Sequence, residues 1–232
     1  MTVEPMLNGT VFSHWGAEAL LDFTISGTET TNDYFQGRNR TSFTQLATVF
    51  KMRKIKLSVV FSGPDLGAVT LQKSLFDAAC FGKSELFLPD GFFYTVMTNS
   101  LGDAAIVGIG ETVTKVKATY EFTGVRHKPL VTVSLPAGGG KVNCGSTTPT
   151  TDCRLSCTVT SAAATYALGG ATFNNVTAGE PLVFDGIDKR ILRNGAPGAA
   201  NVNWTQFPSL TPGENNIVCV DAVTVAFYPT FL

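Results

Sequence analysis

Several stretches of this chain alternate apolar and polar residues, which is the period of a half-buried β-strand. In the clearest stretch, residues 54–61, Lys54, Lys56 and Ser58 lie opposite a row of apolar residues. The same pattern predicts further strands at 19–25, 85–88, 92–97, 112–122, 130–135, 154–160, 171–176, 181–187 and 217–228. The chain is therefore predicted to be mainly β.

One segment follows the helical period instead. Its apolar residues recur at spacings of three and four: Ala68, Leu71, Leu75 and Ala79. This spacing predicts a helix over residues 66–81, with Asp65 as its N-terminal cap and Gly82 as its stop. We expect the apolar stripe to pack against the sheet.

Segments rich in glycine, proline or polar residues separate the predicted strands and mark a loop and a domain boundary. Residues 27–40 are polar and contain Gly, Asn and Asp, which predicts a long loop or arm. Pro136-Ala-Gly-Gly-Gly140 marks a boundary, beyond which the composition shifts towards Thr, Ala, Asn and Gly. We therefore predict two domains, residues 1–135 and 136–232. The first contains a sheet that carries the helix, and the frequent turns of the second predict a sandwich.

Composition narrows the classes of function. The 232 residues are 44% hydrophobic and only 15% charged, and their net charge of −1 leaves no electrostatic footprint for nucleic acid. The one basic run, Lys51 to Lys56, continues into an alternating strand and is interpreted as a solvated or subunit-facing strand face. A surface so poor in charge is typical of a protein covered by other subunits, although a slowly soluble monomer is the alternative.

The N-terminal residues and the cysteines indicate the cellular compartment in which the protein folds. Residues 1–5 lack the basic and apolar regions of a signal peptide, and no stretch reaches the ~18 apolar residues that span a bilayer. We expect folding in the cytoplasm without membrane insertion, where the five cysteines would be buried free thiols. Zinc at Cys144, Cys153 and Cys157 is the weaker alternative, because no fourth ligand lies nearby in sequence. The other two cysteines are Cys80 and Cys219.

No motif for catalysis emerges. Gly138-Gly139-Gly140-Lys141 lacks the earlier Gly and the following Ser or Thr of a phosphate-binding loop. His14 and His127 have no nucleophile motif beside them and are predicted to be structural or surface residues. Asp185 and Asp188 could act as paired carboxylates in sugar hydrolysis, but at a strand end we predict turn residues. We therefore predict no enzyme, no cofactor, and no catalytic, cofactor-binding or metal-binding residue.

The two tryptophans are the remaining candidates for ligand binding. Trp15 and Trp204 could stack on sugar rings, which leaves open a carbohydrate-binding protein. Trp204 precedes a turn that contains Pro208, and this placement is more typical of a packed core anchor.

The most specific segment is Trp204-Thr-Gln-Phe207-Pro208-Ser-Leu210-Thr-Pro212-Gly213-Glu-Asn215-Asn-Ile217. It resembles the Phe-Pro-x-Leu-x-Pro-Gly-x-Asn-x-Ile motif near the C-terminus of the distal tail proteins of phages with long, non-contractile tails. Gly169-Gly170-Ala-Thr-Phe173-Asn-Asn-Val176 and Leu192-Arg-Asn194-Gly195 also resemble the C-terminal domain of that family. Before residue 135 the order of the elements follows the family as well.

The resemblance implies a fold and a role. The fold is an N-terminal β-sandwich with one packed helix, followed by a C-terminal galectin-like β-sandwich. The role is that of a structural virion protein, made and assembled in the bacterial cytoplasm, which forms a ring of usually six copies at the distal end of the tail. Its implied partners are further copies of itself, the tail tube protein, the tail-tip hub protein, the tape measure protein and receptor-binding proteins.

Two alternatives stay open within this reading of the sequence. One is a tail protein that binds host cell-wall sugars through its C-terminal domain. The other is a tail-tube subunit, which would stack into long polymers.

Overall fold

The chain folds as a mainly β protein with one α-helix in the described part, which confirms the predicted class. The computed structural model describes residues 4–20, 22–36, 38, 41–109 and 114–232. The chain forms two compact units, the first comprising Met1–His127 with Leu232, and the second Lys128–Phe231. No helix in the described ranges has the length and hydropathy needed to cross a membrane.

The first unit is built on one antiparallel sheet. The strands of this unit are β1 Met6–Leu7, β2 Thr10–Val11, β3 Ala17–Ala19, β4 Thr24–Ile25, β5 Thr30–Phe35, β6 Thr44–Phe50, β7 Arg53–Gly63, β8 Lys83–Phe87, β9 Phe93–Ser100, β10 Ala104–Ile109 and β11 Thr114–His127, and all of them except β5 and β6 belong to the sheet. The sheet runs in the order β2-β1-β8-β9-β11-β7-β3, with β4 beside β7 and β10 beside β11. A 3-10 turn, Phe12–Trp15, precedes β3, and helix α1 spans Leu66–Ala79.

The long strands β7 and β11 follow the predicted alternation. Their apolar residues lie on one buried face, at most 4% exposed: Ile55, Leu57, Val59, Phe61, Val116, Ala118, Tyr120 and Phe122. The two strands pair from Arg53 opposite Gly124 to Gly63 opposite Thr114. The single strand predicted at 19–25 is instead two short strands, β3 and β4, which both pair with β7. Leu21, Thr112 and Val113, which the predicted strands include, lie outside the described residues.

Strands β5 and β6 form a separate two-stranded hairpin. The segment 27–40, predicted to be a long loop or arm, therefore contains a strand and is not a loop throughout. Thr30 pairs with Phe50 and Phe35 with Thr44, with a bulge after Asp33. Side chains link the two strands, and the Thr48 hydroxyl donates to Asn32 Oδ1 at 2.7 Å. Polar, β-branched and aromatic residues therefore build a strand pair here without a buried face. Gly37, Asn39 and Arg40 of the predicted loop lie outside the described residues.

Helix α1 begins where it was predicted to and ends at Ala79, two residues before the predicted end, but it buries a different face. Asp65 Oδ1 accepts from the Ala68 backbone N–H at 2.9 Å, which is the predicted N-terminal cap. The fully buried helix residues are Val69 and Phe76, whereas Leu71 and Leu75 are 62% and 54% exposed. The predicted stripe was therefore wrong by about 100° around the helix, the angle between successive residues.

The position of Phe76 explains this rotation. Its ring packs edge-on against four aromatic rings at centroid distances of 5.0 to 5.6 Å: Phe12, Trp15, Phe61 and Tyr120. Next to it, Asp77 accepts from the Tyr120 hydroxyl and from Lys73 Nζ, each at 2.7 Å. The aromatic residues of the 3-10 turn and the sheet thus surround a space that the Phe76 ring fills, and this contact determines which face of the helix is buried.

The second unit contains three sheets of antiparallel strands. The strands of this unit are β12 Val131–Leu135, β13 Gly140–Cys144, β14 Thr151–Thr158, β15 Ala163–Leu168, β16 Ala171–Val176, β17 Pro181–Asp185, β18 Arg190–Arg193, β19 Ala196–Pro197, β20 Val202–Asn203, β21 Ser209–Leu210, β22 Gly213–Ile217, β23 Val223–Phe227 and β24 Thr230–Phe231. Strand β24 lies outside the three sheets. The largest sheet runs β12-β23-β14-β17-β18-β19, with β21 beside β14. The others are β13-β22 and β15-β16-β20. A 3-10 turn spans Ala199–Asn201.

The division between the units differs from the predicted boundary between residues 135 and 136. Strand β12 pairs along its whole length with β23, so it belongs to the second unit. The glycine segment is a tight turn from β12 to β13 inside that unit. Gly139, at φ +93°, donates its N–H to the Pro136 carbonyl at 3.0 Å. A Cβ there would lie 2.0 Å from the Ile217 carbonyl oxygen, so the close approach requires glycine.

The C-terminal motif is a side-chain-stabilised turn. The side chain of Asn215 accepts from the Thr211 N–H at 2.9 Å and donates to the Thr211 and Gly213 carbonyls at 2.8 and 3.0 Å. Gly213 has a φ of +86°, which glycine adopts without strain. The strand predicted at 217–228 is two strands, because β22 pairs with β13 while β23 pairs with β12 and β14.

The two other C-terminal segments that resemble the family contact each other. Arg193 donates to the carbonyl oxygens of Asn174 and Asn175 at 2.9 and 3.1 Å. It also forms a two-point ion pair with Glu180, with Nε 2.7 Å from Oε1 and Nη2 3.1 Å from Oε2. Glu180 is only 4% exposed, and the hydrogen bond from Arg193 is the main reason that its pKa falls to about 2. The carbonyl hydrogen bonds of Arg193 therefore join β18 to the end of β16, and the ion pair joins β18 to the residue that precedes β17.

Candidate functional site

The two histidines do not form a catalytic constellation. His14 is exposed, and its ring packs against Trp15 at 5.4 Å. His127 is buried, with Nε2 at hydrogen-bond distance (3.1 Å) from Thr95 Oγ1 and its ring stacked on Phe93. Each ring therefore contributes packing in the first unit.

Asp185 and Asp188 are held by arginines rather than poised as an acid and a base. Asp185 is fully buried and accepts from the Nε atoms of Arg154 and Arg190 at 2.8 and 3.1 Å. Asp188 lies 3.0 and 3.2 Å from the Nη2 atoms of the same two arginines. Burial opposes ionisation of Asp185, but the Asp188 backbone N–H and Arg154 outweigh it and lower its pKa. Ionised, Asp185 has no proton to donate, and it also accepts from the Ile187 N–H, as a turn residue does.

All five cysteines are buried free thiols. Burial raises the pKa of Cys80 and of Cys153 to about 12, and it also raises the pKa of Cys157 and Cys219. A protonated buried thiol is a poor nucleophile and a poor metal ligand. Within the described ranges, no group of three or more His, Cys, Asp and Glu side chains could hold a metal ion.

The segment Gly138–Lys141 has no free cradle for a phosphate. Gly138 and Gly139 donate their N–H groups to the Cys219 and Pro136 carbonyls, both at 3.0 Å. Lys141 forms an exposed ion pair with Glu214 at 2.8 Å. The backbone donors that a phosphate would need are therefore used inside the fold.

The basic run has acidic partners along the exposed side of β7. Glu29 lies 3.9 Å from Lys51 and 3.6 Å from Lys54, and Glu121 lies 3.4 Å from Lys56. These ion pairs place a carboxylate beside each of the three lysines, so the run does not form a concentrated patch of positive charge. The run therefore offers little attraction for a polyanion.

The tryptophans differ in their surroundings. Trp15 packs against Phe76 and the core of the first unit. Trp204 is 39% exposed, which corrects the prediction of a packed core anchor. Its ring lies 6.3 Å from that of Phe207, which in turn packs on Phe184. Part of the Trp204 indole therefore stays open to a ligand.

The first unit carries an exposed apolar surface. We call β5 and β6, together with Phe43 just before β6, the apolar hairpin. Every residue of β5 is exposed, and Asp33 is the one charged residue on the two strands. The rings of Tyr34 and Phe43 pack together at 5.9 Å on one face, while Phe35 and Val49 lie on the other. The large apolar side chains that it exposes are Tyr34, Phe35, Phe43, Leu46, Val49 and Phe50.

Helix α1 provides a second apolar surface. Its exposed residues on one side carry no charge and are defined here as the outer helix face: Leu66, Thr70, Leu71, Ser74, Leu75 and Ala78. Beyond its C-terminal end lies a cleft of about 470 Å³, lined by residues of 80–83 and 97–101. Phe81 and Met97 line this cleft and are 71% and 50% exposed. Exposed apolar surfaces of this kind are typical of interaction sites.

Sequence reasoning missed both surfaces. The hairpin was missed because β5 lies in the segment predicted as a loop or arm and β6 was assigned to no element, although Thr44–Phe50 carries the β-branched and aromatic residues that favour strands. The outer helix face was missed because Leu71 and Leu75 were assigned to the core. The shortage of charged residues was the one signal that pointed to covered surface.

Known proteins resemble this chain in structure rather than in sequence. No family model matches the chain, and no curated protein matches it. The crystal structure of the Dit protein of phage SPP1, described as a paradigm of the hub adsorption apparatus in phages that infect Gram-positive bacteria, matches with a TM-score of 0.69 at 12% identity. The match covers 99% of this chain and 99% of that chain.

A second solved structure, the phage P2 baseplate in its activated conformation with Ca, contains a chain that matches with a TM-score of 0.50 at 8% identity. That match covers 94% of this chain and 92% of the other. The structural resemblance to phage tail and baseplate proteins that the C-terminal motif predicted is thus confirmed, and the chain shares their fold over nearly its whole length.

Proposed function

We propose that this chain is a structural subunit of a phage tail tip, where copies of it close a ring, six in number, between the tail tube and the hub. The observation that carries the proposal is the match to the SPP1 Dit protein over 99% of both chains. A likeness of this extent includes both units and their order along the chain. The proposed role is architectural and uses no catalytic group.

The apolar surfaces support self-association. An isolated two-stranded hairpin is marginally stable in water, and this one exposes six large apolar side chains. A subunit that spends its functional life in an assembly would bury them. The proposed further partners are the tail tube, hub, tape measure and receptor-binding proteins, and the proposed place is the virion.

We expect polar substitution of the hairpin to dissociate the ring without unfolding the subunit. In the double variant Phe43→Ser with Leu46→Ser, the concentration at which half of the rings dissociate should rise about 100-fold, equivalent to ~3 kcal/mol of lost apolar burial. Mass measurement over a dilution series would give this value. The control is Val218→Ser with Val220→Ser, two exposed apolar residues of the second unit. A hairpin variant that assembles like the control contradicts the proposed role of the hairpin.

Carbohydrate binding is a second candidate function, favoured by one observation. The indole of Trp204 is partly open and is flanked by Phe207, over whose ring Lys189 Nζ lies at 5.5 Å. An open aromatic face beside polar side chains suits stacking on a sugar ring. We expect Trp204→Ala to abolish retention on host cell-wall polysaccharide, while Val220→Ala retains it. Equal retention of both variants, or no retention of the wild type, would remove this candidate.

A further inference from the structure

We propose that Arg53 and Arg126 bind a small oxyanion of the phosphate class at one end of the sheet of the first unit. The proposed site goes beyond the tail-tip role and does not depend on the ring. On β7, Arg53 lies two residues before the buried Ile55. On β11, Arg126 lies four residues after the buried Phe122, so both arginines share the face that carries the apolar rows. Each apolar row therefore ends in a cation.

The pairing of β7 with β11 brings the two arginines together. Arg53 lies directly opposite Gly124, and Arg126 is the next residue of β11 on the same face. Diagonal neighbours of this kind lie about 7–8 Å apart, a distance that long side chains span. Gly124 has no side chain that would separate them. Burial, and then the positive charge of Arg126, lower the pKa of Arg53, which agrees with this proximity.

Backbone carbonyls hold both guanidinium groups in place. Arg53 Nη1 donates to the Ser26 carbonyl oxygen at 2.8 Å. Arg126 Nη2 donates to the Leu232 carbonyl oxygen at 2.7 Å. The Arg126 guanidinium carbon also lies 4.6 Å from the centroid of the Phe92 ring. Groups that are fixed in this way lose little conformational freedom when a ligand binds.

The two guanidinium groups keep N–H donors that have no acceptor. Both Nε atoms are buried and have no hydrogen-bond partner among the described residues. Arg53 Nη2 and Arg126 Nη1 also donate to no described residue, and they are not buried, so a ligand can reach them from solvent. On Arg53, Nε and Nη2 together form the edge of the guanidinium group that binds an oxyanion at two points. A buried donor without an acceptor is costly, so a bound oxyanion would stabilise this end of the sheet.

The charge of the site favours a phosphate group over a carboxylate. The two guanidinium groups carry two positive charges, and a phosphate monoester carries about −1.5 to −2 at neutral pH, whereas a carboxylate carries a single negative charge. Within the described ranges, no carboxylate side chain forms an ion pair with either arginine. Tyr94 lies opposite Arg126 on β9 and donates its hydroxyl to Asp90 at 2.5 Å, so that this carboxylate is bound to another donor.

Thermal unfolding in inorganic phosphate tests the site. In a Trp204→Phe background, the fluorescence of Trp15 follows the core of the first unit, against which it packs. Phosphate is added to about 10 mM at neutral pH, and sodium chloride is adjusted to keep the ionic strength constant. We expect the midpoint of unfolding to rise by about 5 °C, which corresponds to a dissociation constant on the order of 1 mM.

Substitutions at the two arginines should remove this rise. In Arg53→Gln and in Arg126→Gln, phosphate should change the midpoint by less than ~1 °C. Arg53→Lys keeps the charge and loses the two-point edge, so binding about tenfold weaker should leave about a third of the rise. This variant carries the comparison if a glutamine variant does not fold. The matched control is Lys56→Gln, which removes an exposed cation of β7 and should keep the full rise.

Three outcomes would overturn the site. The first is the absence of a rise in the Trp204→Phe parent. The second is an equal rise in the arginine variants and the control, which is the general effect of phosphate excluded from protein surfaces. The third is an equal or larger rise with acetate, which would assign the arginines to a carboxylate.

Glycerol 3-phosphate at the same concentration identifies the source of the phosphate group. A rise equal to that with inorganic phosphate supports a site for the phosphate end of a larger molecule. A rise with inorganic phosphate and none with the ester supports a site for the free ion. The mass of the particles tests the ring separately, so failure of the site and failure of the ring are distinguishable.

Discussion

Replacing Arg193 with alanine is expected to destabilise the second unit by about 3 kcal/mol at neutral pH. The substitution would leave the carboxylate of Glu180, 4% exposed, without its two-point partner. It would also leave the carbonyls of Asn174 and Asn175 without the guanidinium donors that now reach them. Breaking a buried pair from one side costs far more than the pair contributes, because a charge remains buried.

The pH dependence of this effect has a defined sign. Arg193 lowers the pKa of Glu180 to about 2 in the folded chain, below its value of about 4.3 in an unfolded chain. The wild-type pair therefore stabilises fully above pH ~4.3, and its contribution is lost as the pH falls towards ~2. Without Arg193, burial favours the neutral acid, so the gap between the wild type and Arg193→Ala should narrow on acidification.

Denaturant unfolding monitored by tryptophan fluorescence would measure both effects. The chain has two tryptophans, one in each unit, so a Trp15→Phe background leaves Trp204 as the reporter of the second unit. Lys141→Ala is the control, because it removes an exposed ion pair of the same unit and should cost less than ~1 kcal/mol. Equal stability losses for the two variants would show that the Glu180–Arg193 pair is not the buried anchor described here.

Phe76→Ala is expected to destabilise the first unit by about 4 kcal/mol. The ring of Phe76 is fully buried among four aromatic rings of the 3-10 turn and the sheet, so its removal leaves a cavity that the rigid sheet closes only in part. Leu75→Ala, one residue away on the exposed side, should change the stability of the isolated subunit by less than ~0.5 kcal/mol.

This pair of substitutions tests which face of α1 packs on the sheet. Trp15 lies 5.3 Å from Phe76, so its fluorescence in a Trp204→Phe background would follow the unfolding of this core. The measurement is made at concentrations where the subunit is monomeric, so that it reports only contacts within one chain. If Leu75→Ala lost more stability than Phe76→Ala, the face of α1 that packs on the sheet would be the one that the spacing of its leucines predicted.

The sequence was sufficient where a single physical signal dominated. The alternation in β7 and β11 identified their buried residues correctly, because a strand with one buried face must alternate. The start of α1 was also predictable, since Asp65 can cap only the N–H groups that directly follow it. These features depend on residues that are close in sequence.

The features that could not be predicted depend on contacts between residues that are distant in sequence. Leu71 and Leu75 are as apolar as Val69 and Phe76, so the spacing could not choose the buried face. The choice was made by Phe12, Phe61 and Tyr120, which the fold brings to Phe76. The apolar hairpin has no buried face in the single chain, and this removed the alternation that identifies strands elsewhere. The exposed apolar surfaces thus consist of residues for which rules of burial within one chain fail.

The most direct test of the account is the mass of the purified full-length chain, measured together with electron-microscope images of the particles. The account predicts one closed disc whose mass is six times the 24.6 kDa of the chain. A monomer at high concentration would contradict it, and so would long filaments, which would indicate a tube subunit instead.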